Sequence, residues 1–144
     1  IPIPLSSMMI LILPFQLDLL GLTQSLKSLT DSFSESCDIK FDSRIENIDG
    51  KVSKNEEIYI FRILQECLNN ISKHSQASEA YVEINQPNGK INIIIEDNGI
   101  GIEKDLNGGY GLIGIKERLG ILKGTMEIVS NQPKGTKIKI QIGS

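Results

Sequence analysis

The sequence is poor in the residue types on which metal and disulfide chemistry depends. It contains one histidine, two cysteines and no tryptophan. Cys37 and Cys67 lie far apart without C-x-x-C spacing, and a single histidine cannot complete a zinc site with them. We therefore expect buried thiols of a reducing cytoplasm, with Cys67 as a small packed side chain, and neither a disulfide nor a zinc centre.

Long apolar runs and basic clusters are also absent from the sequence. The apolar stretch at residues 8–13 ends at Pro14, far short of the about 20 residues that a membrane helix needs. The formal net charge is −3, with no block of Lys and Arg of the kind that neutralises nucleic-acid phosphates. The sequence therefore argues against a membrane contact by this chain and against a nucleic-acid partner.

The length and composition fit one soluble domain. The chain has 144 residues, of which 40% are hydrophobic and 23% charged, as is ordinary for a globular protein. It begins at Ile1 without the charged start of a signal peptide, so we interpret it as a fragment of a longer protein. Because the prolines of Ile-Pro-Ile-Pro disfavour a helix, we expect a linker over residues 1–13 and the domain itself over residues 14–144.

Hydrophobic periodicity predicts an α+β fold. Helical spacing indicates three helices, which begin near Leu22, after the capping-box sequence Ser53-Lys54-Asn55-Glu56, and at Leu112. Alternating or continuous apolar residues indicate strands near residues 39–41, 81–85, 90–97, 125–130 and 136–142. The second and third strands should form an antiparallel hairpin. Together these elements predict a two-layer α/β sandwich, with a mixed and mostly antiparallel sheet packed on about three helices.

The middle helix carries a polar face with the ligand types of a magnesium–nucleotide site. At about 100° per residue, Glu66, Asn70 and Lys73 fall within about 60° of arc. Magnesium prefers hard oxygens and few protein ligands besides phosphates, which makes Asn70 a candidate ligand. Glu66 is a candidate proton acceptor, and Lys73 a candidate phosphate contact. The alternative is the solvated face of an ordinary amphipathic helix.

A second candidate site follows the predicted strand at residues 90–97. The carboxylate of Asp97 can accept a hydrogen bond from the amino group of adenine, whereas guanine would present an acceptor there. Gly99 and Gly101 permit positive φ and a close approach of backbone to a flat base. The alternative is a type I′ hairpin turn at Asn98-Gly99, which requires no ligand.

A third candidate site is Gly108-Gly109-Tyr110-Gly111-Leu112-Ile113-Gly114, where the last helix begins. Unpaired amides and the positive end of the helix dipole can receive phosphate oxygens there. Residues 109–114 also match G-x-G-x-x-G, but a polar loop precedes them where a Rossmann unit has a strand, and no Walker G-K-[ST] follows. The polar stretch at residues 103–111 has no apolar period and should be a mobile loop.

Four segments together resemble the sequence boxes of the gyrase, chaperone, histidine kinase and MutL ATPase superfamily. They are Glu66-x-x-x-Asn70, Asp97-x-Gly99-x-Gly101, Gly109-Tyr110-Gly111-Leu112 and Gly135-Thr136, in the order and spacing of the N, G1, G2 and final Gly-Thr boxes. Residues 14–22, 70–74 and 111–119 are similar to the short-lid sensor histidine kinases that partner helix-turn-helix response regulators. The resemblance covers about residues 14–142.

This resemblance implies the Bergerat fold and roles for individual residues. Asn70 would ligate Mg²⁺, Asp97 would read the adenine of ATP, Gly101 would let the base approach, and Thr136 would support the adenine pocket. Lys73 and His74 would border the phosphates. For His74, a favourable interaction with the C-terminal end of its own helix is the alternative.

The same resemblance implies a phosphate lid and a catalytic candidate. The lid amides would be those of Gly109, Tyr110, Gly111, Leu112 and Gly114. Glu66 is the catalytic candidate, since in hydrolysing relatives this carboxylate polarises water. In the histidine kinases, an acidic residue beside the phosphoacceptor histidine is the alternative base.

The function implied by the resemblance is that of a histidine protein kinase domain. It would bind MgATP and donate the γ-phosphoryl group to a histidine on a dimerisation domain that this chain lacks, for onward transfer to a response regulator receiver domain. Residues 1–13 would be a linker or a remnant of the dimerisation helix. The longer protein would be a cytoplasmic homodimer, with any membrane anchor in upstream segments.

Two other functions remain open from the sequence. One is a self-contained ATPase or a serine-directed kinase of the anti-sigma type. The other is a non-catalytic module that docks a partner in a nucleotide-dependent way.

Overall fold

A five-stranded mixed sheet forms the frame of the domain. The computed structural model describes residues 5–101, 112–130 and 135–143. Their elements are α1 (Leu5–Leu20), α2 (Leu22–Ser36), β1 (Lys40–Ile45), α3 (Lys54–His74), β2 (Glu79–Asn85), β3 (Ile91–Asp97), α4 (Leu112–Leu122), β4 (Thr125–Ser130) and β5 (Thr136–Ile142), with a 3₁₀ turn at Pro87–Gly89. The strand order is β1-β2-β3-β5-β4, with β1 parallel to β2 and the other neighbours antiparallel. The predicted two-layer α/β sandwich is confirmed.

One face of the sheet is buried because apolar residues recur at every second position along its strands. Ile91, Ile93 and Ile95 of β3 are at most 2% exposed, and every second residue of β5 is buried as well. These side chains join the apolar side of α3 in one hydrophobic cluster. Burial of each such isoleucine contributes about 1.5–3 kcal/mol relative to an exposed position. The packing fixes where α3 crosses the sheet.

Both ends of α3 follow from local sequence signals. The Ser53 Oγ accepts a hydrogen bond from the Glu56 N–H (3.3 Å), and the Glu56 Oε1 accepts one from the Ser53 N–H (3.0 Å), so the predicted capping box is confirmed. At the other end the Ser75 N–H donates to the Ile71 carbonyl. Gln76 then has a φ of 55°, which turns the chain out of the helix and towards β2.

The first helix was not predicted from the residue pattern. α1 begins directly after Pro4, runs through the expected boundary at residues 13 and 14, and contains Pro14. Residues 5–13 are thus helical and not an extended linker, while the alternative of a remnant of a dimerisation helix stays a prediction. Four helices lie in the described ranges where about three were expected. The physical reason is that a proline disfavours a helix at and before its own position, and does not prevent one from starting after it.

α1 also packs on the domain, since Leu13 and Leu17 are each 4% exposed. Within the ranges that the structure describes, no helix has the length and apolar character needed to cross a bilayer.

The capping box makes a prediction about stability. Ser53→Ala should lower the free energy of unfolding by about 1 kcal/mol, because the first turn of α3 loses its cap. Urea denaturation followed by circular dichroism measures this loss. The matched control is Ser32→Ala, at an exposed position inside α2, where alanine is a better helix former than serine. Equal losses in the two variants would contradict a capping role for Ser53.

Candidate functional site

A pocket lies where the second half of α3 crosses the ends of β3 and β5. It is lined by Cys67, Asn70, Ile71, His74, Ser75, Ile95, Asp97, Gly101, Thr136 and Ile138. Most of the wall is apolar, and a few polar groups converge on it, as is typical of small-molecule sites. Five of the predicted site residues meet here, namely Asn70, His74, Asp97, Gly101 and Thr136.

The strand register brings two of these residues together. Asp97 ends β3 and is the direct cross-strand partner of Thr136, the first residue of β5. Thr136 is only 4% exposed. Ile95 and Ile138 lie two residues from them along their strands and therefore on the same face of the sheet. The antiparallel pairing thus places one carboxylate and one hydroxyl above an apolar floor.

The helix contributes a stripe of residues with helical spacing. Cys67, Asn70, Ile71 and His74 follow the pattern i, i+3, i+4, i+7 and so share one side of α3. Glu66 and Lys73 lie about 40–60° beyond Asn70 around the helix and are not part of the pocket wall. Glu66 is half-buried and Lys73 is exposed. The structure therefore brings Asn70 and His74 to the pocket, and leaves the roles of Glu66 and Lys73 as predictions.

Asp97 carries a carboxylate in a partly dry position. Burial raises its pKa above the ordinary value, and a hydrogen bond from the Gly99 N–H to Asp97 Oδ1 (2.8 Å) acts in the opposite direction. Neither of the lysine ion pairs, Lys54–Asp18 and Lys137–Glu96, involves Asp97. A desolvated acceptor of this kind gains most from a ligand that donates a hydrogen bond.

Two glycines of the site are required by close backbone contacts. A Cβ on Gly99 would collide with the Ser75 carbonyl oxygen, and one on Gly135 would collide with the Asp97 carbonyl oxygen. Gly135 also has a φ of +113°, in the left-handed region that favours glycine. Gly99 thus allows contact with the end of α3, without the positive φ that was expected of it, whereas Gly101 has a φ of 86°. The predicted approach of these glycines to a base stays a prediction.

The alternative reading of Asn98-Gly99 as a type I′ turn is wrong. That turn needs positive φ at both central residues, and neither Asn98 nor Gly99 has it. The segment after Asp97 instead crosses to the end of α3, where the Ile100 N–H donates to the Ser75 carbonyl (2.7 Å). A hairpin turn therefore does not account for Asn98 and Gly99, and the prediction that this segment contributes to a binding site stays open.

Asn70 brings a side-chain amide to the pocket. Its Nδ2 is buried and makes no hydrogen bond to the described residues. Oxygen and nitrogen of a side-chain amide are assigned from such networks, so either atom of the Asn70 amide can occupy this buried position. A buried polar atom without a partner costs about 1–3 kcal/mol, which a bound polar group would recover.

The donor set limits the kind of metal that the site can hold. Within the described ranges, no group of three or more His, Cys, Asp and Glu side chains is placed to bind a metal ion. Asn70 alone could serve a cation whose other ligands are phosphate oxygens and water. Magnesium has this preference, so the residues present fit a magnesium ion that arrives with a nucleotide.

The glycine-rich segment before α4 is only partly described. Gly109, Tyr110 and Gly111 lie outside the described residues. Leu112 begins α4 with a buried side chain, which confirms the predicted start of this helix. Gly114 lies in the first turn, where a Cβ would be 3.1 Å from an Arg118 guanidinium nitrogen.

Sequence reasoning missed half of the pocket wall. Cys67, Ile71, Ser75, Ile95 and Ile138 line the pocket but were read only as packing or loop residues. The stripe around Asn70 and the strand alternation around Asp97 and Thr136 could have identified four of them. Cys67 is nevertheless the packed thiol that was predicted, since burial raises its pKa to about 12 and keeps it protonated.

Comparisons with known proteins agree on one family. The family described as Histidine kinase-, DNA gyrase B-, and HSP90-like ATPase matches residues 55–143. The signal transduction histidine-protein kinase/phosphatase DegS of Brevibacillus brevis is 37% identical over 128 residues, covering 88% of this chain and 33% of that protein. The sensor histidine kinase LiaS of Bacillus subtilis strain 168 is 35% identical over 133 residues, covering 90% of this chain and 36% of that protein.

The chain thus spans about one third of the length of these relatives. Among solved structures, the histidine kinase domain of the blue-light activated kinase EL346 from Erythrobacter litoralis has a TM-score of 0.74 at 19% identity. The match covers 90% of this chain and 69% of that one, and shows a shared fold. On the family match across residues 55–143, this chain belongs to the histidine kinase-, DNA gyrase B- and HSP90-like ATPases.

Proposed function

We propose that this chain is the ATP-binding catalytic domain of a sensor histidine kinase. The observation that carries the proposal is the convergence of the Asp97 carboxylate and the Asn70 amide on one largely apolar pocket. The names of the relatives support a kinase over a self-contained ATPase or a docking module. Because the chain spans about a third of the length of those relatives, the kinase activity of the whole protein is also proposed.

The base of the nucleotide fits the end of the pocket at Asp97. The exocyclic amino group of adenine would donate to the half-buried carboxylate, whereas the carbonyl of guanine would place an acceptor against it. Ile95 and Ile138 would form an apolar floor for the flat base. Thr136, buried beside Asp97, would support this end of the pocket through its hydroxyl.

The phosphates would lie towards Asn70 and the end of α3. Both basic residues of the last helical turn, Lys73 and His74, are exposed there, where they would border the phosphates. Asn70 would hold a magnesium ion that arrives with the nucleotide, and such an ion would supply neutralisation of phosphate charge. The amides of Gly109, Tyr110 and Gly111, which precede α4 in the sequence, are proposed on the resemblance alone as further phosphate contacts.

The proposed reaction is phosphoryl transfer to a histidine outside this chain. A ring nitrogen of that histidine would attack the γ-phosphorus while the bond to the ADP oxygen breaks, and the ring would lose its N–H proton to a base. Glu66 remains a candidate for this base, one turn before Asn70. Since Glu66 is not part of the pocket wall, an acidic residue beside the phosphoacceptor histidine is the alternative.

The remaining partners follow from the same proposal. α1 would be the end of a dimerisation segment that carries the phosphoacceptor histidine. The whole protein would then act as a cytoplasmic homodimer and pass the phosphoryl group to the receiver domain of a response regulator. This chain alone would bind ATP or ADP and turn over little.

The first prediction from the proposed function concerns base recognition. Asp97→Asn should weaken ADP binding by about ten- to a hundredfold, the range expected for a hydrogen bond to a charged group. With Gly99 still held by the side-chain oxygen, the new NH₂ group would face the adenine amino group, donor against donor. Isothermal titration with ADP, and with GDP for specificity, measures the change.

The matched control is Glu96→Gln. Glu96 is the preceding residue and lies on the other face of β3, where it pairs with Lys137 (2.9 Å). Removal of its charge should leave the affinity for ADP unchanged. Undiminished affinity in Asp97→Asn, or equal losses in both variants, would count against adenine recognition by Asp97.

The raised pKa of Asp97 gives a second prediction, about stability. An acid whose pKa is higher in the folded state destabilises the fold when ionised, and this cost disappears as the pH falls from above its folded-state pKa to below its ordinary value of 3.8. Asp97→Asn should therefore unfold at higher urea concentration than the wild type at pH 7. The difference should shrink towards zero under acidic conditions, and a difference independent of pH would refute the burial of charge.

The third prediction concerns magnesium. Asn70→Ala should abolish most of the gain, about tenfold or more, that magnesium gives to the binding of a non-hydrolysable ATP analogue. Stability should be maintained, because the variant removes a buried amide nitrogen that has no partner among the described residues. Asn69→Ala, on the neighbouring residue outside the pocket wall, is the control and should keep the full magnesium effect. An unchanged magnesium dependence in Asn70→Ala would exclude Asn70 as a ligand.

A further inference from the structure

The residue after Asp97 points away from the pocket and fastens its loop to β2. Asn98 Oδ1 accepts hydrogen bonds from the N–H groups of Ser78 (2.9 Å) and Glu79 (3.0 Å). Its Nδ2 donates to Ser78 Oγ (2.9 Å), and its own N–H donates to the Glu79 carbonyl (3.2 Å). Asn98 is exposed and outside the pocket wall, so its side chain serves the protein and not a ligand directly.

The same loop is fastened on its other side to the end of α3. The Ile100 N–H donates to the Ser75 carbonyl (2.7 Å), and Gly99 is packed against the same backbone. Ser75 is itself held, since its Oγ donates to the Ile71 carbonyl (2.6 Å) and accepts from the Ala77 N–H (3.1 Å). Gly99 therefore lies between two anchors, one on each neighbouring residue.

This double anchorage determines how the Asp97 carboxylate is turned. Sheet pairing with Ala80 and Thr136 fixes the backbone of Asp97. The terminal torsion of an aspartate is broad and would leave its two oxygens undirected. The Gly99 N–H holds Oδ1 at 2.8 Å, and no donor among the described residues takes Oδ2. We call the two anchors, at Asn98 and Ile100, the clamp on Gly99. By fixing the Gly99 N–H, the clamp determines which oxygen of Asp97 stays available to a ligand.

We infer that Asn98 is a positioning residue for base recognition: by holding the loop of residues 98–100 between β2 and α3, it keeps the Gly99 N–H on Asp97 Oδ1 and Oδ2 open to the 6-amino group of a purine. The inference rests on the proposed function, because it takes Asp97 as the group that reads the base. The inference adds Asn98, a residue that makes no contact with the ligand, to the groups that determine base recognition.

Two substitutions separate the clamp from general stability. Asn98→Leu keeps the approximate shape and leaves the Ser78 and Glu79 N–H groups without their acceptor. Asn98→Asp keeps an acceptor for both N–H groups, and the Ser78 hydroxyl can then donate to the carboxylate in place of accepting. The aspartate variant should therefore restore what the leucine variant loses.

The experiment compares two ligands that differ only in the 6-amino group, ADP and purine riboside 5′-diphosphate. Titration of the wild type should show tighter binding of ADP by about tenfold. Asn98→Leu should lose about fivefold or more in ADP affinity and little for the ligand without the amino group, so that the preference collapses. Asn98→Asp should keep the preference within about twofold of the wild type.

A merely structural role of Asn98 gives a different result. Loss of stability alone would weaken both ligands equally and leave their ratio unchanged in Asn98→Leu. That outcome, or an identical loss of preference in Asn98→Leu and Asn98→Asp, would overturn the inference.

Amide hydrogen exchange without nucleotide tests the clamp independently of the proposed function. Exchange at Ser78, Glu79 and Gly99 should be faster in Asn98→Leu than in the wild type and restored in Asn98→Asp. A wild type that binds both diphosphates equally would refute base reading by Asp97, while faster exchange at Gly99 would still support the clamp. Unchanged exchange in Asn98→Leu would refute the clamp whatever the titrations show.

Discussion

The hydrogen bond from the Gly99 N–H to the half-buried carboxylate of Asp97 is the interaction on which the site depends. It directs one oxygen inwards and leaves the other for a ligand. Burial makes the ionised carboxylate costly, as the raised pKa shows. The fold thus maintains an acceptor whose desolvation is best compensated by a bound donor.

The surrounding backbone is built to keep that acceptor in place. β3 lies between β2 and β5, so both edges of Asp97 are paired. Gly99 and Gly135 allow two backbone segments to approach closer than any side chain would permit. These contacts fix the local geometry, and as a result neither glycine can be substituted without a collision. This is expected where a binding group must be oriented before the ligand arrives.

Local signals were sufficient to predict most of the fold. The capping box at Ser53, the alternation of isoleucines in β3 and β5 and the helical spacing after Leu112 each identify an element from neighbouring residues alone. α1 was missed because the effect of Pro4 was extended beyond the residues that a proline restricts. The parallel pairing of β1 with β2 joins segments about forty residues apart, for which the sequence carries no local pattern.

Site residues could be predicted where their role follows from their chemical type. They could not be predicted where their role follows from tertiary packing. Asp97, Asn70 and Thr136 could be named from chemistry and resemblance, and they meet in one pocket. Glu66 shares the polar arc of Asn70 in sequence, yet the rotation of α3 on the sheet leaves it outside the wall. Asn98 acts through contacts with Ser78 and Glu79, about twenty residues earlier, which no local pattern shows.

The most direct measurement is a crystal structure of this chain with ADP and magnesium bound. We expect the adenine amino group within about 2.7–3.2 Å of Asp97 Oδ2, with Gly99 still on Oδ1 and the phosphates directed towards Asn70. A nucleotide bound elsewhere, or bound in this pocket without contact to Asp97, would contradict the central claim.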